Sequence, residues 1–119
     1  KVSERMSATT DAAILAKMGD RGQLAGAVVD GPLALDVAIS PEACAIKGLV
    51  SPVGGAADVL VFPNIEAANA FYKSATYLAG ARLAGTVIGT TSPCVLTSRA
   101  DSEESKLYSI ALGCRLVKA

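Results

Sequence analysis

The chain has 119 residues, and its eleven basic side chains balance eleven acidic ones, so that the formal net charge is zero. With no net basicity and with scattered charges, the sequence does not predict binding to nucleic acid or to an anionic membrane, and no apolar stretch approaches the ~20 residues that cross a bilayer. Histidine is absent, which removes the Ser-His-Asp and Cys-His arrangements, and three cysteines without a CxxC spacing predict no metal site.

The first half of the chain predicts two helices and one strand. Residues 10–18 have helical apolar spacing, with Thr10 or Asp11 as the cap and Gly19 at the end. An Ala- and Val-rich run at 22–29 is expected to be a strand. A second helix begins at Pro41, which suits a first helical turn, and ends near Gly48.

The second half predicts alternating strands and helices. The apolar, β-branched run at 58–63 is typical of a buried strand of a mostly parallel sheet. Asn64 is expected to cap a helix that runs to about Ala79. Strand-like runs follow at 85–89 and 93–97, and Asp101 to Glu104 resembles a capping box that opens a last helix. Five residues are expected to line one face of this helix: Leu107, Ile110, Ala111, Cys114 and Val117. The alternation predicts an α/β fold.

A polar stretch from Thr97 to Ser102 lies between a predicted strand and a predicted helix. Backbone N–H groups at a helix start favour an anion, Arg99 offers a two-pronged donor suited to phosphate, and Ser98 adds a hydroxyl. The stretch could therefore stabilise an oxyanion. The alternative is a solvated salt bridge at Arg99 and capping serines, which the spacing alone favours.

Asn64, Glu66, Asn69 and Lys73 follow the run at 58–63. Ligands of open α/β sheets bind beyond the carboxyl ends of the strands, and Asn69 and Lys73 share a helix face. The alternative, which the residues favour for Glu66 and Lys73, is a carboxylate that complements the helix dipole and a solvated ammonium.

Asp30 and Asp36 flank a Gly-Pro turn and could act in acid–base chemistry. A turn former and a helix cap are the favoured alternative. The glycines at 80 and 85 have phosphate-loop spacing, but Thr86 stands where that loop needs a lysine. A nucleotide site is therefore not predicted.

Four blocks, in order along the chain, resemble the phosphate acetyl/butyryltransferase family. They are Asp-Gly-Pro-Leu-Ala-Leu-Asp at 30–36, the block at 51–64 from Ser-Pro-Val-Gly-Gly to Val-Phe-Pro-Asn, the helix at 65–73 with Asn69, Tyr72 and Lys73, and Leu-Thr-Ser-Arg-Ala-Asp-Ser at 96–102. The last block is similar to that of the phosphate butyryltransferase branch.

The resemblance implies transfer of a short acyl group between coenzyme A and inorganic phosphate, with acyl-CoA, phosphate and acyl phosphate as the ligands. Coenzyme A is then a substrate, and no held cofactor is expected. The implied fold is a three-layer α/β/α sandwich similar to isopropylmalate dehydrogenase, of which this chain would be a C-terminal fragment. Residues 1–85 would be most of the second domain, and residues 86–119 would return to a first domain whose N-terminal part is absent. The family is typically dimeric and cytoplasmic.

By the same likeness, Ser98 and Arg99 bind the phosphate group and stabilise the transition state. The predicted substrate-binding residues are Asn64, Asn69, Lys73 and Ser102. The acetyltransferase branch has a proposed aspartate base where this chain has Ser105. Asp101 is a hypothetical substitute on proximity, and direct attack by a partly ionised thiolate is the other possibility.

Two alternatives remain open at this point. The domain could be a regulatory acyl-CoA sensor, similar to domains attached to some malic enzymes, without transferase activity. The isolated chain is also expected to be inactive even if the whole protein is an enzyme, because half a cleft cannot position two substrates.

Overall fold

The computed structural model describes residues 1–117, which form two units, the first at 1–67 and the second beginning at Ala68. The helices in order are α1 (Ser7–Asp20), α2 (Leu35–Ile39), α3 (Pro41–Lys47), α4 (Ile65–Tyr77) and α5 (Glu103–Leu116). Between residues 1 and 117, β-pairing is limited to one isolated antiparallel bridge between Val87 and Cys94. No helix in this range has the length and apolar character needed to span a bilayer.

Helix α1 is longer at both ends than the sequence predicts. It begins at Ser7 without a side-chain cap and runs through Gly19 to Asp20, so the predicted caps and end are wrong. The Thr10 hydroxyl instead donates to the carbonyl of Ser7, 2.8 Å away. A Cβ at Gly19 would lie 2.9 Å from Cβ of Val29. The glycine therefore admits a close neighbour, and does not stop the helix.

The short helix α2 contains the buried apolar residues of the first unit, whereas α3 has none. Val37 and Ala38 of α2 are only 4% and 5% exposed. Their carbonyls accept hydrogen bonds from the backbone N–H groups of Gly55 at 2.8 Å and Ala57 at 3.0 Å. The block at 51–64 is thereby tied to α2 through its backbone.

The predicted boundaries of α3 are confirmed. Ser40 caps the helix, its hydroxyl accepting from the N–H of Ala43 at 3.2 Å, and Pro41 occupies the first turn. Gly48 follows with φ of 59°, the left-handed conformation that ends helices. These signals are local, which explains why the sequence was sufficient to locate the helix.

The predicted strands are wrong for the described residues. The segments at 22–29 and 58–63 carry no strand, and Val59 and Val61 are 77% and 82% exposed. A strand requires a neighbouring backbone, and within residues 1–117 no segment pairs with 58–63. The runs at 85–89 and 93–97 form one backbone bridge, Val87–Cys94, and the Thr86 hydroxyl donates to the Cys94 carbonyl at 2.9 Å. The regular structure of residues 1–117 is thus mainly helical, with very little β-structure.

Helix α5 packs through small residues. Ser109 and Gly113 are buried, whereas Leu107 and Ile110 of the predicted apolar face are 63% and 56% exposed. A Cβ at Gly113 would lie 2.8 Å from a methyl of Val95. The Ser109 hydroxyl accepts from the Gly85 N–H at 3.0 Å and donates to the Ser105 carbonyl at 2.7 Å. This face of α5 is therefore held by the close packing of Gly113 against Val95 and by the hydrogen bonds of the buried Ser109 hydroxyl.

Candidate functional site

A tight turn from Ser98 to Asp101 lies just before α5. The N–H of Asp101 donates to the carbonyl of Ser98 at 3.1 Å, and the N–H of Ser98 donates to Asp101 Oδ2 at 2.8 Å. The Ser98 hydroxyl also accepts from the N–H of Ala100, 3.4 Å away. Serine and aspartate favour such turns because their side chains bond the nearby backbone. The turn presents Arg99 on its exposed outer side.

The Asp101 carboxylate joins this turn to α4. Its Oδ1 accepts a hydrogen bond of 2.5 Å from the Tyr72 hydroxyl, and the Lys73 ammonium lies 3.9 Å from the same oxygen. Only 9% of the Asp101 side chain is exposed. The Tyr72 hydroxyl, the Ser98 N–H and the Lys73 charge hold the pKa of this carboxyl below its ordinary value. The carboxylate is therefore ionised, and both of its oxygens already accept hydrogen bonds.

The neighbouring groups respond in the opposite direction. The Asp101 carboxylate raises the pKa of Tyr72, since a phenolate beside a carboxylate is disfavoured. The Tyr72 hydroxyl, together with nearby negative charge, raises the pKa of Lys73. The Lys73 ammonium also lies over two aromatic rings, 4.1 Å from the centroid of Tyr72 and 5.7 Å from that of Tyr77. Lys73 is thus a fixed cation throughout the physiological pH range.

An open groove lies beside this cation. Its lining residues come from α4 and from the turn: Lys73, Ser74, Tyr77, Leu78, Ser98 and Ala100. Lys73 contributes a positive charge and Ser98 a hydroxyl, and both are donors that phosphate oxygens accept. The groove can therefore bind an anion whose uncharged part contacts the aromatic and aliphatic side chains.

The start of α5 differs from the predicted capping box by one residue. Ser102, and not Asp101, is the N-cap, and its Oγ accepts from the N–H of Ser105 at 3.1 Å. The Ser102 hydroxyl then donates to the Ser105 hydroxyl at 3.0 Å. Glu103 and Glu104 lie in the first turn, where their carboxylates complement the helix dipole that would otherwise attract a ligand anion.

The structure brings together three of the seven predicted site residues, namely Lys73, Ser98 and Asp101. Arg99 is exposed beside them, and its side chain has no hydrogen bond or ion pair with any residue of the described part of the chain. Asn69 is exposed on α4. Ser102 is occupied by capping.

Asn64 lies in the first unit, where its side-chain oxygen accepts from the N–H of Ala67 at 2.8 Å and caps α4. This contact is the helix cap that the sequence predicts. It gives Asn64 a structural task, and its predicted contact with substrate stays a prediction.

Tyr72 was missed as a site residue by the sequence reasoning, although it stands next to Lys73. A tyrosine on a partly buried helix face needs a partner for its hydroxyl, which was the available signal. Its partner, Asp101, is 29 residues further along the chain, so that the identity of the acceptor was not readable from spacing.

The two carboxylates of the first block have structural partners. Asp30 Oδ2 accepts from the Ser51 hydroxyl at 2.6 Å, and Oδ1 accepts from the N–H of Gly31 at 2.8 Å. Asp36 forms a half-exposed ion pair with Lys47, and the hydrogen bond from the Lys47 ammonium lowers the pKa of Asp36. The alternative favoured from the residues, a structural role in turn and helix, agrees with these contacts.

Comparison with known proteins identifies the family. A family model described as "Phosphate acetyl/butaryl transferase" matches residues 1–114. The chain is 57% identical over 111 residues to a phosphate acetyltransferase of Thermotoga maritima, a match covering 93% of this chain and 38% of the relative. It is also 57% identical over 111 residues to a phosphate butyryltransferase of Clostridium beijerinckii, covering 93% of this chain and 37% of the relative.

A solved structure is similar as well. The crystal structure of a branched-chain phosphotransacylase from Enterococcus faecalis matches with a TM-score of 0.82 and 38% identity, covering 97% of this chain and 41% of that one. The chain therefore spans well under half the length of the proteins it matches. Since the identities to the acetyl- and butyryltransferase relatives are equal, overall identity does not separate the two branches.

Proposed function

The chain belongs to the phosphate acetyl/butyryltransferase family, and we propose that the whole protein moves a short acyl group between coenzyme A and inorganic phosphate. The observation that carries this proposal is the groove lined by Ser98 and the Lys73 cation, beside a turn on which Arg99 is exposed. The relatives named above are transferases, and no finding supports the alternative of a regulatory acyl-CoA sensor.

In the proposed reaction, a phosphate oxygen attacks the carbonyl carbon of the thioester and the carbon–sulfur bond breaks. Acyl phosphate forms, and coenzyme A leaves as a thiolate that takes a proton. Arg99, Ser98 and Lys73 would bind the phosphate oxygens and offset the negative charge of the tetrahedral transition state. These are donors and cations, and their task is electrostatic.

The contacts of Asp101 bear on the proposed base. A carboxylate that accepts from both Tyr72 and Ser98 and has a lowered pKa is a weak proton acceptor. The contacts of Asp101 therefore favour direct attack by the thiolate of coenzyme A on the acyl phosphate in the reverse reaction, without a side-chain base. A free thiol has a pKa of about 8.5, so that part of it is ionised near neutral pH. Asp101 is then proposed to position the turn.

Further parts of the proposal rest on the family resemblance. They are contacts of Asn64, Asn69 and Ser102 with substrate, a three-layer α/β/α sandwich, and a division in which residues 1–85 belong to the second domain and residues 86–119 to the first. A cytoplasmic homodimer and a preference nearer the butyryl branch are proposed on the same ground.

The test is release of free thiol from acetyl-, propionyl- and butyryl-CoA by the whole protein, with and without phosphate. Arg99→Ala is expected to abolish phosphate-dependent release, and Arg21→Ala, another exposed arginine, is the control that should retain it. The 119-residue chain alone is expected to release none. Thiol release by wild type that does not need phosphate, or no release with any acyl-CoA, would contradict the proposed reaction.

A further inference from the structure

Tyr72 is the residue outside the predicted site that reaches it most directly. We propose that Tyr72 is a positioning residue for the Ser98–Arg99 pair, acting through Asp101, an inference that rests on the proposed acyl transfer. The Tyr72 hydroxyl donates to Oδ1 of Asp101, and Oδ2 of the same carboxylate accepts from the backbone N–H of Ser98. One carboxylate thus links a rigid helix to the first residue of the pair.

The geometry shows why the hydroxyl matters. The Asp101 side chain is 9% exposed, so water is a poor replacement for a lost donor. Lys73 is 3.9 Å from Oδ1, beyond hydrogen-bonding distance. Without the Tyr72 hydroxyl, the Asp101 carboxylate can recover a hydrogen bond by rotating towards the Lys73 ammonium. This rotation takes Oδ2 away from the Ser98 N–H.

Displacement of Ser98 would directly change the lining of the groove. Ser98 lines the groove, and Arg99 is the next residue in the chain, on a turn closed by hydrogen bonds between Ser98 and Asp101. When a group that binds the transition state is displaced by ~1 Å, the rate falls by up to about a hundredfold. Tyr72 is therefore expected to act on turnover while making no contact with the reacting atoms.

The chain offers a matched control. Tyr108 also donates its hydroxyl to a carboxylate, Glu104 Oε1 at 2.6 Å, and this contact likewise raises its pKa. Both tyrosines lie in the second unit, but Glu104 belongs to the first turn of α5 and makes no bond to Ser98. Phenylalanine at either position removes one hydroxyl–carboxylate bond and keeps the ring, and at position 108 it also removes an exposed 3.4 Å hydrogen bond from Arg82.

The experiment measures kcat and KM of wild type, Tyr72→Phe and Tyr108→Phe in the whole protein, together with hydrogen exchange of the Ser98 amide. Tyr72→Phe is expected to lower kcat by about ten- to a hundredfold, with an unchanged KM for acyl-CoA and faster exchange at Ser98. Tyr108→Phe should match wild type in all three. Asp101→Asn combined with Tyr72→Phe should be no worse than Asp101→Asn alone, because the two residues act through one path.

Active wild type with a Tyr72→Phe variant that retains the kcat and the Ser98 protection of Tyr108→Phe would overturn this inference and leave the proposed function intact. Inactive wild type would overturn the proposed function, and the positioning role in catalysis with it. A fall in kcat with unchanged exchange of the Ser98 amide would also overturn the inference, since Tyr72 would then act on catalysis without holding the turn.

Discussion

Gly55→Ala tests the packing that holds the block at 51–64 against the α2–α3 corner. Gly55 has a φ of 78°, in the left-handed region, and a Cβ placed there would lie 2.5 Å from the nitrogen and 2.6 Å from Cα of Pro41. Its N–H also donates to the Val37 carbonyl at 2.8 Å. Neither the backbone of Pro41 nor this hydrogen-bonded segment can move without disturbing the start of α3.

Two costs add at this position. The left-handed conformation costs an alanine about 1–2 kcal/mol. Forcing a methyl group into a filled space costs about 1–3 kcal/mol more, and the clash here is with backbone. We therefore expect Gly55→Ala to lower the free energy of unfolding by about 2–5 kcal/mol, measured by urea denaturation of the whole protein.

Gly26→Ala separates the two costs. Gly26 also lies in the first unit, has a φ of 83°, and has no atom within 4 Å of its ideal Cβ position. The Gly26→Ala variant should therefore lose only the conformational part of the unfolding free energy, about 1–2 kcal/mol. Equal losses for the two variants would refute the reasoning, because they would show that Pro41 does not crowd Gly55.

Three further predictions concern polar contacts. Ser109→Ala should lower the free energy of unfolding by about 1–3 kcal/mol, since it leaves the Gly85 N–H without its acceptor; urea denaturation measures the loss, and faster exchange of the Gly85 amide would confirm its origin. Lys47→Ala should change the unfolding midpoint far less, because its ion pair with Asp36 is half exposed and screened by water. Asp101 has a lowered pKa, so its contribution to stability is complete above its ordinary value of 3.8 and is lost as pH falls through the folded pKa; unfolding midpoints followed from pH 6 downwards should fall less in Asp101→Asn than in wild type.

Controls for these three come from the same chain. Arg21→Ala changes an exposed side chain and should leave the unfolding midpoint unchanged. A Lys47→Ala loss as large as that of Ser109→Ala would contradict the assigned exposure of the ion pair. A wild-type acid transition identical to that of Asp101→Asn would show that the Tyr72 and Ser98 bonds do not bias the protonation of Asp101.

Helix signals were readable from the sequence where they are local. Pro41 and Gly48 bracket α3, and Asn64 caps α4 as predicted, because a cap needs only residues within one helical turn. Gly19 was misleading, since a glycine can serve close packing as well as helix termination. Its neighbour in space, Val29, is ten residues away in sequence, and nothing in the local pattern distinguishes the two uses.

Strand predictions failed for a different reason. The run at 58–63 has the composition of a buried strand, but composition specifies only that a segment suits a sheet and does not supply the neighbouring backbone. The matched relatives are more than twice as long as this chain, and the pairing partners of such a segment need not lie within 119 residues. Val59 and Val61 are exposed accordingly.

The position of the candidate site in the sequence was predictable, but the hydrogen bonds among its residues were not. The sequence places the Ser-Arg pair in a loop before a helix, as observed. Proximity in sequence then suggested Asp101 as a base, whereas its contacts with Tyr72 and Ser98 are those of a support for the turn. The role of Asp101 stays a prediction, and the hydrogen bond that bears on it joins Tyr72 to Asp101, 29 positions apart in sequence.

The hydrogen bonds of Asp101 bear on how the proposed reaction handles protons. Phosphate is already an anion near neutral pH, so its oxygen can attack a thioester without first losing a proton to a side chain. The leaving thiolate, whose conjugate acid has a pKa of about 8.5, can take its proton from water. What the protein must supply is neutralisation of charge on the phosphate and on the tetrahedral oxyanion. Arg99 and Ser98 of the turn, together with Lys73 of α4, are the groups proposed for that task, and the Asp101 carboxylate is proposed to hold the turn in place.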